Sequence, residues 1–245
     1  MSTLFNILKN IKKRFIKSND YKKFDHRKAQ IYEISYASNW LDNNFERVYR
    51  DVSDKKKQKH VISDEFFKNN YLWNKFVKHI ENKTCLEIGS GPAGALIRWY
   101  WTKKRIIIDP LASEYKRLSI EKFGKSFFTD DMILYSQNAE MRVPRLRNKI
   151  DGAIVCRNVL DHCENPNKVI ENMAKYAKNG CYLLLWSDIY HKKGHNEGHA
   201  NITKSKIELE NFIKKNNFKI QHKFSLGKRN TINYGCVAIK NSKKL

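Results

Sequence analysis

The feature that most constrains the fold is a regular alternation of short apolar runs with amphipathic segments between residues 84 and 186. We predict strands at 84–88, 105–108, 132–136, 150–156 and 180–186. The segments 93–101, 113–123 and 165–178 have the spacing of crossover helices. Such alternation is typical of a parallel sheet with right-handed crossovers.

The C-terminal part of the chain has a different pattern. A predicted helix at 204–216 precedes two strand-like runs at 218–225 and 232–240, and a turn at 227–230 joins these runs. We therefore predict an α/β fold with a doubly wound, mostly parallel seven-stranded sheet. It carries a C-terminal antiparallel hairpin and a helical N-terminal extension. Residues 1–60 would form the extension and residues 61–245 the main domain.

The predicted extension contains two helical patterns. Residues 4–17 form a basic amphipathic pattern that would pack on its own domain or on a partner, or lie on an anionic membrane surface. Residues 30–50 carry about one aromatic residue per helical turn. Burial in the core is the usual role of such a stripe, and a lid over a substrate site is the alternative. Its members are Tyr32, Tyr36, Trp40, Phe45 and Tyr49.

The formal net charge of +23 is concentrated at the two ends of the chain. Residues 1–60 carry 15 Lys and Arg against 7 Asp and Glu, and residues 203–245 carry 11 against 2. A basic surface can bind nucleic acid, but the chain is also rich in Asn and Ile, so we favour a general compositional bias. No apolar run approaches the roughly 20 residues that span a bilayer, and no secretory signal pattern is present. We expect a cytoplasmic protein.

The strongest local motif is the segment CLEIGSGPAG, residues 85–94. Gly89, Gly91 and Gly94 allow a tight turn and a close approach of the backbone to a ligand. The N–H groups of the helix that should follow would be available to a carboxylate or phosphate. Asp109 ends the next predicted strand, where an acidic side chain can bind the ribose hydroxyls of an adenosine. Glu87, just before the first glycine, suits a ligand with an ammonium group and no phosphate.

These residues resemble the E/D-x-G-x-G-x-G motif of class I S-adenosylmethionine-dependent methyltransferases, and the resemblance covers about residues 80–190. It implies that Asp109 and Pro110 form the ribose motif. It also implies an adenine-contacting turn at Gln137–Glu140, with Asn138 where many members have aspartate. The segment Cys156–His162, followed by Asn165 and Pro166, resembles the loop after the fourth strand in the small-molecule branch. The implied cofactor residues are Glu87, Gly89, Ser90, Gly91, Gly94, Asp109, Pro110, Asn138, Ala139, Glu140, Arg157 and Asn158.

A hydroxyl acceptor must lose its proton during methyl transfer, which favours a histidine or carboxylate near the methyl group. Asp161 and His162 follow the fourth predicted strand. His191, His195 and His199 follow the fifth, together with Asp188 and Glu197. The three histidines have a spacing that could also bind a metal on a helix. Because glycines interrupt that segment, we predict a substrate contact or a general base and no metal, and solvated loop histidines are the alternative.

The sequence thus favours O-methylation of a small polar, sugar-like or nucleotide-linked acceptor. The segments EGHAN and NVLDH are similar to bacterial methyltransferases associated with surface-polysaccharide genes. The loop after the fourth strand lacks the Pro-Pro-aromatic tetrapeptide of adenine and glutamine methyltransferases and the Pro-Cys pair of RNA cytosine-C5 enzymes. Two alternatives stay open: an RNA methyltransferase whose basic ends bind phosphates, and a non-catalytic protein that binds S-adenosylmethionine. The sequence does not indicate an oligomeric state.

Overall fold

The computed structural model describes residues 26–53, 66–67, 69–191, 202, 205–225 and 231–242. Its strands are β1 Thr84–Ile88, β2 Lys104–Ile108, β3 Met132–Tyr135, β4 Ala153–Arg157, β5 Tyr182–His191, β6 Phe218–Phe224 and β7 Thr231–Lys240. Its helices are α1 His26–Ser53, α2 Asn70–Ile80, α3 Ala112–Phe123, α4 Pro166–Tyr176 and α5 Lys206–Lys215.

The strands form one seven-stranded sheet in the order β3-β2-β1-β4-β5-β7-β6. The first five strands are parallel, whereas β7 pairs antiparallel with both β5 and β6. The predicted fold class is therefore confirmed. The strand order reverses direction between β1 and β4, and open sheets of this kind bind ligands at the carboxyl ends of the strands beside such a point.

Apolar side chains cover both faces of the sheet. On one face, α4 and α5 pack over the alternate residues of β1, β4, β5 and β7. On the other face, α2 covers β4, β5 and β7, while α1 and α3 cover β2 and β3. The core thus holds the strands from two sides, and their carboxyl ends meet along a single edge.

Two predictions about this edge were wrong. The predicted crossover helix at 93–101 is replaced by two short 3-10 turns, Gly91–Ala93 and Leu96–Arg98, because Gly94 between them is extended. The fifth strand is longer than predicted and includes Asp188 and His191, since β7 pairs with it as far as His191 across a bulge. Long-range pairing of this kind is not visible in local periodicity.

The helix α1 confirms the helical prediction for residues 30–50 and confirms the buried aromatic stripe only in part, because Trp40 and Tyr49 are partly buried against the core. Its buried residues are Ala37, Leu41, Phe45 and Val48, so only Phe45 belongs to both sets. Tyr32 and Tyr36 are 43% and 52% exposed. The buried stripe contains small and aliphatic residues because α1 packs closely on α3 and on the turn Gly91–Ala93.

Among the described residues, no helix is long and apolar enough to cross a membrane. The predicted basic helix at 4–17 lies outside these residues.

Phe45 should contribute most to the attachment of α1, because its ring stacks on Phe123 at 4.1 Å and on Phe127 at 4.6 Å between centroids. We expect Phe45→Ala to lower the free energy of unfolding by about 3–5 kcal/mol in urea denaturation. The control Tyr36→Ala lies on the exposed side of the same helix and should change it by less than about 0.5 kcal/mol. Equal losses would contradict this assignment of the buried face.

Candidate functional site

The turn after β1 contains two glycines with positive φ and different surroundings. Gly89 has φ +67°, and a Cβ atom there would lie 2.3 Å from a methyl group of Val159. Gly91 has φ +55°, but no described atom lies within 4 Å of the place that its Cβ would occupy. Gly89 is therefore required for packing against the loop after β4, whereas Gly91 borders open space at the edge of the sheet.

Glu87 fixes the backbone that follows this turn. Its side chain is buried, and its two oxygens accept hydrogen bonds from the N–H groups of Ala95 at 2.8 Å and Leu96 at 3.0 Å. A Cβ atom on Gly94 would lie 2.3 Å from Glu87 Oε2, which explains the third glycine. We expected these N–H groups to face a ligand, and that prediction was wrong, because the chain's own carboxylate occupies them.

Burial raises the pKa of Glu87 above its ordinary value. The N–H groups of Leu96 and Ala95 and the charge of Arg157 act in the opposite direction, since each favours the ionised carboxylate. Arg157 itself is exposed at the end of β4. The positive charge of the exposed Arg157 therefore offsets part of the cost of burying an ionised Glu87.

Asp109 links the end of β2 to the glycine turn. Its Oδ2 accepts the N–H of Gly91 at 3.0 Å and its Oδ1 accepts the N–H of Leu111 at 2.8 Å. Burial raises the pKa of Asp109, and these N–H groups, with Ser90, offset part of the effect. Pro110 is exposed beside it. These hydrogen bonds fix the Asp109 carboxylate between the glycine turn and the residue after Pro110.

The loop after β3 is held by hydrogen bonds to its backbone. Asn138 Oδ1 accepts the N–H of Glu140 at 3.0 Å. Asn172 on α4 is buried and donates to the carbonyl oxygens of Ala139 at 3.0 Å and Glu140 at 2.9 Å. Glu140 Oε1 accepts the N–H of Glu164 at 2.8 Å. The loops after β3 and β4 are thereby connected through Glu140.

Asn158, in the loop after β4, presents an acceptor without a described partner. Its backbone has φ +56° and its N–H donates to the carbonyl oxygen of Trp186 at 2.7 Å. Its Oδ1 is buried, and no hydrogen-bond donor within the described part of the chain reaches it. A buried acceptor of this kind calls for a donor, and a ligand at this edge could supply one.

Asp161 and His162 lie together in a 3-10 turn, Leu160–His162. Asp161 is fully buried, and its Oδ1 accepts a hydrogen bond from Ser187 Oγ at 2.8 Å. The two ring nitrogens of His162 each face a carboxylate. Nε2 lies 4.0 Å from Asp161 Oδ2 and Nδ1 lies 3.6 Å from Glu33 Oε1. Asp161 can thus orient its neighbours but cannot itself contact a ligand.

The second predicted set of catalytic residues is located only in part. His191 is the last residue of β5, but its side chain and the residues His195 and His199 lie outside the described part. Their catalytic role stays a prediction. Within the described residues, no group of three or more His, Cys, Asp or Glu side chains could hold a metal ion.

Three residues of this edge escaped the sequence analysis: Glu33, Asn172 and Ser187. Glu33 and Asn172 could have been recognised from the sequence, because each is a polar residue at an inward position of an otherwise apolar helix face. Asn172 lies between the buried Ile170 and Met173. Ser187 is a small residue in a buried strand, and nothing in its local sequence indicates its bond to Asp161.

Buried carboxylates accumulate at this edge even though the whole chain is strongly basic. Glu87, Asp109, Asp161 and Asp188 lie at or near the carboxyl ends of four strands, and none is more than 5% exposed. Carboxylates in a poorly hydrated site attract positive charge more strongly than they would in water. The edge is thus suited electrostatically to a cationic ligand.

Solved structures of low sequence identity share this fold. An S-adenosylmethionine dependent methyltransferase from Mesorhizobium loti aligns with a TM-score of 0.53 at 10% identity, over 69% of this chain and 97% of that one. A provisionally assigned methyltransferase from Bacillus halodurans C-125 aligns with a TM-score of 0.53 at 14% identity, over 69% and 98%. The (4+2)-cyclase SpnF aligns with a TM-score of 0.52 at 11% identity, over 70% and 80%.

At these identities the likeness establishes the Rossmann-like methyltransferase fold and nothing finer. SpnF is named for a cyclisation, so the fold by itself does not determine the reaction. No protein-family model matches the chain, and no curated protein matches it in sequence.

The contact between Gly94 and Glu87 can be tested by stability. Gly94→Ala would force the Glu87 carboxylate away from Ala95 and Leu96, and we expect a loss of about 1–3 kcal/mol in the free energy of unfolding. Gly91→Asn should cost less than about 1 kcal/mol, because asparagine tolerates positive φ and its side chain enters open space. Urea denaturation of both variants provides the comparison. A larger loss for Gly91→Asn would contradict the two roles.

Proposed function

We propose that this chain, which has the Rossmann-like methyltransferase fold, transfers a methyl group from S-adenosylmethionine to an oxygen atom of a small polar acceptor. The observation that carries the proposal is the convergence on one edge of the sheet of the glycine turn, Asp109 and the Oδ1 of Asn158, which no donor among the described residues reaches. The name of the Mesorhizobium loti neighbour agrees with this cofactor.

The residues present fit this cofactor in shape and charge. The open space beside Gly91 leaves room for a ligand against the turn. Asp109 would bind the ribose hydroxyls, and the loop at Asn138 and Ala139 would contact the adenine. S-adenosylmethionine carries a sulfonium and an ammonium group, which the buried carboxylates at the strand ends would favour. Asn158 Oδ1, which has no hydrogen-bond donor within the described part of the chain, would accept a hydrogen bond from the cofactor.

The protein itself forms no covalent bond in this reaction, because the methyl group is already activated on the cofactor. The bound cofactor supplies a methyl group on a sulfonium, whose sulfur becomes a neutral thioether when the methyl is displaced. The chain has to align the acceptor, exclude water and receive one proton. We assign the proton to Nδ1 of His162, because Nε2 faces the fully buried Asp161 whereas Nδ1 faces the partly exposed Glu33, and the imidazolium that results would lie between the two carboxylates. Ser187 would keep Asp161 in place from the buried side.

The acceptor class follows from charge and from the chain's motifs. The carboxylates at this edge would repel a polyanion at the point of methyl transfer. We therefore place a sugar-like or nucleotide-linked hydroxyl compound first, in keeping with the resemblance to methyltransferases of surface-polysaccharide gene clusters. The basic residues of the two chain ends could bind the phosphates of a nucleotide-linked acceptor at a distance from the reacting oxygen.

Calorimetric titration with S-adenosylmethionine, its demethylated product and NADH tests the cofactor. We expect the first two to bind and NADH not to bind, because Glu87 lies where a pyrophosphate would approach the turn. Binding of NADH alone would identify a dehydrogenase-type site. Failure of all three to bind would overturn the proposal.

An assay with a labelled methyl group and a panel of sugars, nucleotide sugars and RNA then tests the acceptor. Transfer of the labelled methyl group to a sugar or a nucleotide sugar would support the proposal. Transfer to RNA alone, with an affinity that falls steeply with salt, would replace it with the RNA alternative. Cofactor binding without transfer to any acceptor would identify a non-catalytic binding protein.

Asn158→Gly separates ligand binding from folding. Glycine accepts the φ of +56° found at this position, and the substitution removes the buried acceptor. We expect the affinity for S-adenosylmethionine to fall about tenfold, the value of one good hydrogen bond. Asn148→Gly is a matched control with φ +51° at the opposite end of β4, and it should leave the affinity unchanged. Equal affinities in the two variants would exclude Asn158 from the site.

A further inference from the structure

The buried stripe of α1 begins with a charged residue. Ala37, Leu41, Phe45 and Val48 recur at helical spacing and are buried. Glu33 lies one turn before Ala37 on the same stripe, where this spacing favours an apolar side chain. Its side chain is 29% exposed. A carboxylate on the packed face of a helix loses part of its hydration, so its presence calls for a compensating contact.

The contact is made with His162 and, through it, with the interior. Glu33 Oε1 lies 3.6 Å from His162 Nδ1, and Asp161 Oδ2 lies 4.0 Å from Nε2 of the same ring. Asp161 is anchored in turn by Ser187. These residues come from α1, from the turn after β4 and from β5, so the imidazole is held where three elements meet.

Glu33 also lies close to the proposed cofactor site. Tyr115 on α3 is buried, and its pKa is raised by burial and then by the negative charges of Asp109 and Glu33. Two carboxylates, one from the end of β2 and one from α1, thus lie near a single tyrosine. The contacts of α1 with the turn Gly91–Ala93 and of Glu33 with His162 likewise put the first turns of α1 at the same edge of the sheet as Asp109.

Attachment of α1 does not account for this arrangement. The aromatic stacking of Phe45 and the ion pair between Lys122 and Asp42, at 2.7 Å, hold the middle of the helix on α3. A partly exposed pair such as Glu33 and His162 contributes only about 0–1 kcal/mol to stability. Its distinguishing property is the orientation that it imposes on the imidazole.

We propose that Glu33 is a positioning residue of the active site. It holds the His162 ring from the side opposite Asp161, so that α1 forms a wall of the acceptor site. This inference rests on the proposed methyl transfer, in which His162 receives the acceptor's proton. Glu33 then stabilises the imidazolium that results, and the first turns of α1 exclude water from the reacting oxygen.

The test compares Glu33→Gln with Glu46→Gln. Both substitutions lie on α1, but Glu46 pairs at 3.5 Å with Lys125 and is 69% exposed. We expect Glu33→Gln to lower kcat about 10- to 100-fold, part of the effect of a general base, while the affinity for S-adenosylmethionine and the hydrogen-exchange protection of α1 stay as in the unchanged protein. Glu33→Asp keeps the charge and should recover part of kcat. Glu46→Gln should leave kcat unchanged.

Two outcomes would overturn the inference. An unchanged kcat in Glu33→Gln would mean that the carboxylate does not act on the reaction. A lower kcat together with lost protection over α1 would mean that Glu33 only attaches the helix.

The ring nitrogen signals of His162, measured by nitrogen-15 NMR, separate this inference from the proposed function. They should shift in Glu33→Gln and not in Glu46→Gln, whether or not an acceptor is present. A shift in a protein that transfers no methyl group would overturn the proposed function and leave the Glu33–His162 contact standing. Methyl transfer without that shift would overturn the inference alone.

Discussion

The two hydrogen bonds from Ala95 and Leu96 to Glu87 determine the shape of the ligand edge. Two short 3-10 turns stand where a helix was expected after the glycine turn, and the two hydrogen bonds require a residue without a side chain at position 94. Because the carboxylate is buried, these bonds form in a medium where leaving either partner unmatched would be costly. The glycine turn is therefore rigid on the side of Glu87 and open on the side of Gly91.

The sheet could be predicted from the sequence because each strand is a short apolar run between turn residues. The bounds of β1 match the prediction, and those of the other strands differ at one or both ends. The predictions were wrong where contacts between residues distant in the chain decide the structure and the local hydrophobic pattern does not. The extension of β5 depends on β7, and the missing crossover helix depends on a carboxylate from the preceding strand. The buried stripe of α1 depends on how closely α3 approaches it.

Some residues of the candidate site could likewise be predicted from local motifs, and others depend on contacts between distant parts of the chain. Motif spacing brought Gly89, Gly91, Asp109 and Asn158 to one edge, because the carboxyl ends of parallel strands meet there. Motifs could not identify Glu33 or Ser187, which belong to the site only through contacts with the turn after β4. Glu33 lies far from any motif in the chain, and Ser187 directly precedes the candidate set that begins at Asp188. The contact of each with the turn after β4 becomes recognisable only when the helix and the sheet are in place.

The position of β7 between β5 and β6 has a consequence for synthesis. During translation β5 and β6 emerge before β7, so β5 can pair only with β4, and β6 has no partner strand, until β7 is available. Until then, the apolar strand β5 has one row of backbone N–H and C=O groups without a neighbouring strand. Exposed strand edges of this kind are prone to pair with other chains. The nascent chain is thus most exposed to aggregation just before β7 emerges, when the candidate site is almost complete and a single strand is still missing.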